Sequence, residues 1–341
     1  MIVTVTPNPS IDRTVTLPTA LVRGAVHRIG STSSEPGGKG VNVARALALA
    51  GLDVIAVLPA RPGDPILAGL QDIDLNIYAV PVTGAVRTNL AITEPDGTTT
   101  KLNEPGSVLE PADIDALTRA VLEHARSAQW VVLSGSLPPG MPDGWYADMV
   151  AALRPYPSKV AVDTSDAPLA ALAHHLDGAA PDLLKPNAEE LAGLAGVTAQ
   201  SLESAVTRGD TGPVVRAAQR LIARGVGAVL TTLGPAGAVL VNADGAWLAT
   251  PPPITARSTV GAGDSALAGY VRADVRGADP AQRLAMAVAY GSGAAALPGT
   301  ALPSPSQLNL DDVAITAVRV PDPDSDPDSD PDSDSDPKAT P

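Results

Sequence analysis

Neither cysteine nor phenylalanine occurs anywhere in the chain. Without cysteine there can be no disulfide, no thiolate metal site and no cysteine nucleophile. Without phenylalanine the core must be filled by Ala, Val and Leu, which supply most of the 45% hydrophobic content. Histidine is scarce as well. Its four copies (27, 124, 174 and 175) show no metal-ligand spacing, and His174-His175 reads as a solvated helix end. None of the five lysines sits in a G-K-[ST] context, so a Walker A loop is absent. The start, Met1-Ile-Val-Thr-Val-Thr, reads as a strand and has no basic segment followed by a long apolar run, so no secretory signal is visible. The weakly polar run Leu284–Leu297 is too short to span a bilayer. These features lead us to expect a soluble, cytoplasmic protein with no membrane partner.

The net charge of −14 has two sources. Residues 321–341 hold eight Asp and one Lys, a charge of −7, which leaves −7 for the body. Both parts would be repelled by a phosphate backbone, which argues against nucleic acid as a partner. The Asp/Pro/Ser repeat of the tail has almost nothing apolar to bury, so the expectation is disorder from about 321. It also lacks the glycine and terminal Glu of an EF-hand loop.

In the body, apolar strands alternate with amphipathic helices. Trp130–Ser134, Lys159–Asp163 and 227–232 read as buried strands, while Ile114/Leu117/Val121/Leu122 and Val214/Val215/Ala218/Leu221/Ile222 fall at helical spacing. Such alternation predicts an α/β fold with a mainly parallel central sheet and helices on both faces. Short polar strands around 11–31 and 81–103 break the rhythm.

Thr259-Val-Gly-Ala-Gly-Asp-Ser265 precedes a helical pattern through Leu267, Tyr270, Val271 and Val275. Backbone N–H groups at a helix start bind anions, and Gly261 and Gly263 let that backbone approach a phosphate closely. A carboxylate there would be repelled by a resting phosphate, so Asp264 makes sense facing a hydroxyl about to attack it. A kinase site has that arrangement. On spacing alone the stretch reads equally as a capped turn. A dinucleotide fingerprint fits the glycines but not their place so late in the chain, and Met1–Asp12 holds no strand–G-x-G-x-x-G unit.

Pro36-Gly-Gly-Lys-Gly-Val-Asn42 opens a second helix, marked by Val43, Leu47 and Leu49 and stopped at Gly51. Taken with the Asp264 loop, it resembles the ribokinase-like (PfkB) carbohydrate kinases. The likeness runs from residue 1 to about 312 and is nearest to the sugar-phosphate branch, above all the bacterial 1-phosphofructokinases. Further motifs carry it: Thr4–Asp12, Thr98–Gly106, Ser134–Gly140, Lys185–Glu190 and Thr232–Gly237. The resemblance implies a ribokinase-like domain over 1–312, with the 11–31 and 81–103 segments forming a small β lid that pairs in a homodimer, and an extension over 313–341.

The implied activity is ATP-dependent phosphorylation of fructose 1-phosphate at O6, with Mg²⁺. Fructose 6-phosphate and tagatose 6-phosphate are alternative acceptors, and a non-catalytic sugar-phosphate sensor is the alternative from another class. By resemblance, Asp264 is the base, and Gly261, Ala262 and Gly263 cradle the transferring phosphate. A carboxylate at a helix start should keep an ordinary pKa, which a loose phosphoryl-transfer transition state tolerates. Asp12, Gly37, Gly38, Lys39, Asn42 and Ser136 face the sugar, and Arg87 clamps its phosphate through a guanidinium fork. Lys185, Asn187, Thr232, Gly234, Gly237 and Ser292 attend the nucleotide. Glu190, with Asn187, holds the metal through water. Read alone, Asp12 is also a plausible turn residue, Arg87 an exposed strand residue, and Glu190 a dipole-favoured helix start.

Overall fold

The computed structural model describes residues 1–319. The tail expected to be disordered therefore lies outside the described residues. Ten strands form the central sheet, in the order Ala314–Val318, Gly245–Thr250, Ala238–Asn242, Ala228–Thr232, Leu183–Leu184, Lys159–Asp163, Trp130–Ser134, Ile2–Val5, Val54–Ala60 and Asn76–Pro81. From Ala228–Thr232 to Asn76–Pro81 all neighbours run parallel; the three strands at the other edge are antiparallel. Strand Ala314–Val318 joins this sheet beside Gly245–Thr250, so the fold reaches past 312.

Apart from the edge strand Asn76–Pro81, the parallel strands are buried on both faces, which is why they read as apolar runs. Alternate residues serve two cores. Val131 and Leu133 pack on one face with Leu117, Tyr146 and Val215, whereas Trp130 and Val132 pack on the other with Val43, Leu267 and Val271. In place of phenylalanine, tyrosines are among the largest fully buried side chains (Tyr146 and Tyr290), and small residues let helices approach closely. Gly269 in helix Ala262–Val275 shows this: a Cβ there would fall against the Met286 carbonyl of helix Pro280–Ala295. No helix among the described residues is long and apolar enough to cross a membrane.

A second, four-stranded sheet has the order Ser31–Gly37, Ser10–Thr16, Arg87–Thr93, Thr99–Asn103. Its middle pair is parallel, since the chain travels through the main domain between them. Side chains alternate across a strand, so Asp12 and its cross-strand neighbours Glu35 and Asn89 share one face, with Arg87 two residues along. Arg13, Val15, Leu90 and Leu102 line a groove of about 580 Å³ associated with the other face.

Candidate active site

The C-terminal ends of parallel strands are where an open α/β sheet offers a crevice, and the charged residues gather there. Asp163 ends strand Lys159–Asp163 and is 1% exposed. Its Oδ1 accepts from Lys39 Nζ at 2.9 Å, and its Oδ2 lies 3.0 Å from Lys185 Nζ. Lys39 opens helix Lys39–Leu49, and Lys185 follows the short strand Leu183–Leu184. One buried carboxylate therefore ties together two lysines 146 positions apart in sequence. Burial alone would lower the Lys39 pKa, but Asp163 and Asp264 reverse this and raise it above the ordinary lysine value. Burial opposes ionisation of Asp163 too, and the two ammonium groups outweigh it, so its pKa falls below the usual carboxylate range.

Asp264 stands beside this cluster in the first turn of helix Ala262–Val275, 7% exposed. Gly261 caps the helix in the left-handed region at φ 76°, where glycine is at ease. The N–H groups of Gly263 and Asp264 have no backbone acceptor among the described residues, leaving donors of the kind that hold anions. A Cβ on Gly263 would lie 3.3 Å from Lys185 Nζ, so the ammonium and the glycine backbone adjoin. Asn42, one turn after Lys39, donates its amide to Asp264 Oδ2 at 2.8 Å, while its own buried Oδ1 has no partner.

One expectation needs correction. Asp163 is a second buried carboxylate beside Asp264, and the Asp264 pKa is not ordinary. Burial, then the Asp163 charge, push it up to about 6, against the opposing pull of Lys39, Asn42 and Lys185. The helix terminus does not compensate for loss of water.

On the lid side, Asp12 Oδ1 accepts from Ser10 Oγ at 2.7 Å and Asn89 Nδ2 at 3.0 Å. A Cβ on Gly37 would fall on the Asp12 carboxylate, so only glycine leaves that oxygen room. Gly38, at φ 107°, turns the chain from the lid strand into helix Lys39–Leu49. Arg87 donates to the Glu104 carbonyl at 3.0 Å and to Ser136 Oγ at 3.3 Å, and its buried Nε has no partner. Burial lowers its pKa, with Asp12 and Glu104 opposing. Ser136 also accepts from Asn8 Nδ2 at 3.3 Å. The next residue back, Gly135, donates its N–H to the Asp163 carbonyl at 2.9 Å and is held by Tyr146 and Thr164 at its own carbonyl. Through Ser136 and Gly135 the guanidinium is thus joined to the backbone of Asp163.

On the remaining side, Asn187 and Glu190 form a reciprocal cap of helix Ala188–Ala195: Glu190 Oε2 accepts from the Asn187 N–H, and Asn187 Oδ1 from the Glu190 N–H, both at 2.8 Å. Glu190 caps the helix, as a dipole-favoured helix start would, and also lies close enough to Lys39, Asp163 and Lys185 to feel their charges. Burial raises its pKa; the Asn187 N–H and the lysines pull the other way. Thr232 ends its strand next to Asn187, and Gly234 joins it in lining a groove of about 440 Å³ with Val206 and Thr207. Gly237, at φ 98°, packs on the Ala249 carbonyl. Ser292 is turned onto its own helix, donating to the Ala289 carbonyl at 3.3 Å, while the neighbouring Gly291 lies against the Ala262 carbonyl. Among the described residues, no three His, Cys, Asp or Glu side chains converge as a cation cage.

Asp163 is the residue that motif reading missed. Its one signal was a charge closing an otherwise apolar buried strand at the end where ligands bind. Asn8, in the bend after strand Ile2–Val5, and Asn89, on a lid strand, were missed as well, since lone asparagines carry no pattern.

Residues 5–307 match the profile described as pfkB family carbohydrate kinase. The 1-phosphofructokinase of Rhodobacter capsulatus is 39% identical over 312 residues, covering 90% of this chain and 94% of that protein. The 1-phosphofructokinase of Escherichia coli K12 is 33% identical over 272 residues, covering 79% and 83%. Among solved structures, phosphofructokinase-2 from Escherichia coli in complex with fructose-6-phosphate superposes with a TM-score of 0.78 at 29% identity, covering 86% of this chain and 93% of that one.

Proposed function

The chain belongs to the pfkB family of carbohydrate kinases and is an ATP-dependent phosphotransferase; we propose that it moves the γ-phosphoryl group of ATP to O6 of fructose 1-phosphate. The products are fructose 1,6-bisphosphate and ADP. O6 bonds to Pγ as the bond from Pγ to the bridging oxygen breaks, and the O6 proton passes to Asp264. The observation that carries this reading is the buried Asp264 at a glycine-lined helix start, hydrogen-bonded to Asn42 and flanked by Lys39 and Lys185. A pKa near 6 leaves the carboxylate ionised at neutral pH yet more basic than an ordinary Asp, which suits a general base.

The N–H groups of Gly263 and Asp264 and the two ammonium groups would stabilise charge on the transferring phosphoryl oxygens. No covalent intermediate is needed; positioning and electrostatics carry the rate. Arg87, with an unpartnered Nε, supports a role in holding the phosphate already on the sugar. The open Oδ1 atoms of Asn42 and Asn89 and the Asp12 carboxylate offer acceptors to sugar hydroxyls. Lys185, Thr232, Gly234, Gly237 and Ser292 are assigned to the nucleotide. Magnesium fits as an ion carried by phosphates and water, because the cap leaves Glu190 Oε1 free while no protein cage exists among the described residues. Bound there, it would neutralise phosphate charge.

The groove on the lid, where Val15, Ile29, Leu90 and Leu102 lie among polar residues, supports pairing with a second copy of the chain, a homodimer that sedimentation equilibrium would measure. The site's demand for ATP is in keeping with a cytoplasmic location.

Fructose 6-phosphate is the second reading, favoured by the structural likeness to a phosphofructokinase-2 holding that sugar. Either monophosphate presents a phosphate at one end of the furanose and a free CH₂OH at the other. Initial rates at limiting fructose 1-phosphate, fructose 6-phosphate and tagatose 6-phosphate give the kcat/KM ratios that decide. Preference for either 6-phosphate overturns the first reading.

A further inference from the structure

Beyond the groups assigned above, one hydrogen bond joins residues 265 positions apart. Thr300 Oγ1 donates to Glu35 Oε2 at 2.6 Å. The same oxygen accepts from Arg45 Nη2 at 3.3 Å, and Arg45 Nη1 donates to the Pro36 carbonyl at 3.2 Å.

The three residues come from parts of the molecule that do different work. Glu35 sits on the lid strand Ser31–Gly37, paired directly across from Asp12. Arg45 lies one turn beyond Asn42 on helix Lys39–Leu49, and Asn42 holds Asp264. Thr300, 9% exposed, follows helix Pro280–Ala295. The last carbonyl of that helix, Ala295, accepts from the N–H groups of Arg257 and Ser258, which lead into the Gly261–Gly263 turn. The Thr300 segment and the approach to the glycine turn are therefore joined at the end of one helix.

We infer that Glu35 is a positioning residue that couples nucleotide binding at the glycine turn to closure of the lid over the sugar. The hydroxyl, the carboxylate and the guanidinium meet only when the lid strand and the Thr300 segment are both in place. With the lid raised, water replaces the contact. A ligand that pins either partner then favours the other, and the coupling is reciprocal. The inference rests on the kinase reading, and it adds a role for a residue that touches neither ligand.

Calorimetric titration of the full chain with fructose 1-phosphate, without and with saturating Mg²⁺ and a non-hydrolysable ATP analogue, measures the coupling. The expected result is affinity about fivefold or more tighter with the analogue. In Thr300→Val, which removes the hydroxyl at constant volume, that ratio should fall towards one while each ligand alone binds within about twofold of the parent. Thr300→Ser should restore it, which a merely structural role would not require. Glu35→Ala should lose it too, and the double variant should lose no more. An unchanged ratio in Thr300→Val, or no coupling in the parent, overturns the inference. If another sugar phosphate is the one turned over, it replaces fructose 1-phosphate in the titration, so an error in substrate choice is separable from an error in coupling. If none is turned over, the kinase reading and the inference fall together.

Discussion

The floor of the site and its lid are held in place by different physics. On the floor, Asp163, Lys39, Lys185 and Asp264 hang from the ends of buried strands and the first turns of buried helices. The lid strands are half-exposed along most of their length, and their polar residues fix one another: Asn89 and Ser10 on Asp12, Ser136 and the Glu104 carbonyl on Arg87. A floor anchored in the core is preorganised before any ligand arrives, which is what transition-state stabilisation demands. A lid fixed by side chains near water can move, which is what substrate entry demands. The comparison predicts that damage to the floor lowers kcat, and damage to the lid raises KM.

The most severe test of the floor is Asp264→Asn. It removes the proton acceptor but keeps the shape and the Asn42 contact. Turnover should fall by roughly a hundredfold to ten-thousandfold, with nucleotide affinity similar. Near-normal turnover of the purified variant would remove Asp264 as base.

Arg87→Ala tests the lid. Losing a partly buried, charge-assisted contact to a phosphate should raise KM for the sugar phosphate by about ten- to a hundredfold, while kcat changes only a few-fold. Should kcat fall and KM stay put, Arg87 acts in the transition state and the contrast between floor and lid breaks down.

How far the sequence revealed each region follows the same divide. The floor's helix starts were legible because glycine runs, lysine and Asp264 are constrained at fixed spacing by backbone geometry. The core strands Trp130–Ser134, Lys159–Asp163 and Ala228–Thr232 were legible from apolar runs, whereas the lid strand Ser31–Gly37 lies past the 11–31 segment because its polar residues lead straight into the glycines of the next helix. Asp163 was hidden: its role comes from two lysines that reach it only after the sheet orders strands from distant parts of the chain. The raised pKa of Asp264 was hidden for the same reason, since burial and a neighbouring charge are tertiary facts. Strand Ala314–Val318 was passed over because it sits at an antiparallel edge, half-exposed, and lacks the core strands' long apolar run.

Glu190, on the side of the floor away from the lid, is both helix cap and electrostatic neighbour of the floor. Glu190→Gln retains an oxygen to accept from the Asn187 N–H, so the helix should persist. Its loss of charge should raise the Mg²⁺ concentration needed for half-maximal rate several-fold and leave sugar affinity alone. An unmoved magnesium titration would confine Glu190 to its capping role.

The smallest expected effect is a displacement of pH dependence, and it probes the floor alone. A base must be ionised, so with Asp264 raised to about 6 the rate should fall as pH drops through that value, far above the limb of an ordinary carboxylate at 3.8. A substrate phosphate also takes up its second proton near pH 6, so the wild-type profile cannot by itself identify the group. Asp163→Asn separates them. It deletes a charge that raises the Asp264 pKa and leaves Lys39 and Lys185 to stabilise the Asp264 carboxylate, so both changes move that pKa down. The substrate phosphate, titrating free in solution, does not feel the substitution. In profiles of kcat/KM the acid limb should therefore shift to lower pH in Asp163→Asn, even if the plateau is reduced by misplaced lysines. Circular dichroism across the same range checks that the variant stays folded. A limb that remains at the same pH belongs to the substrate, and the tuning of Asp264 by Asp163 would then have no part in the observed rate.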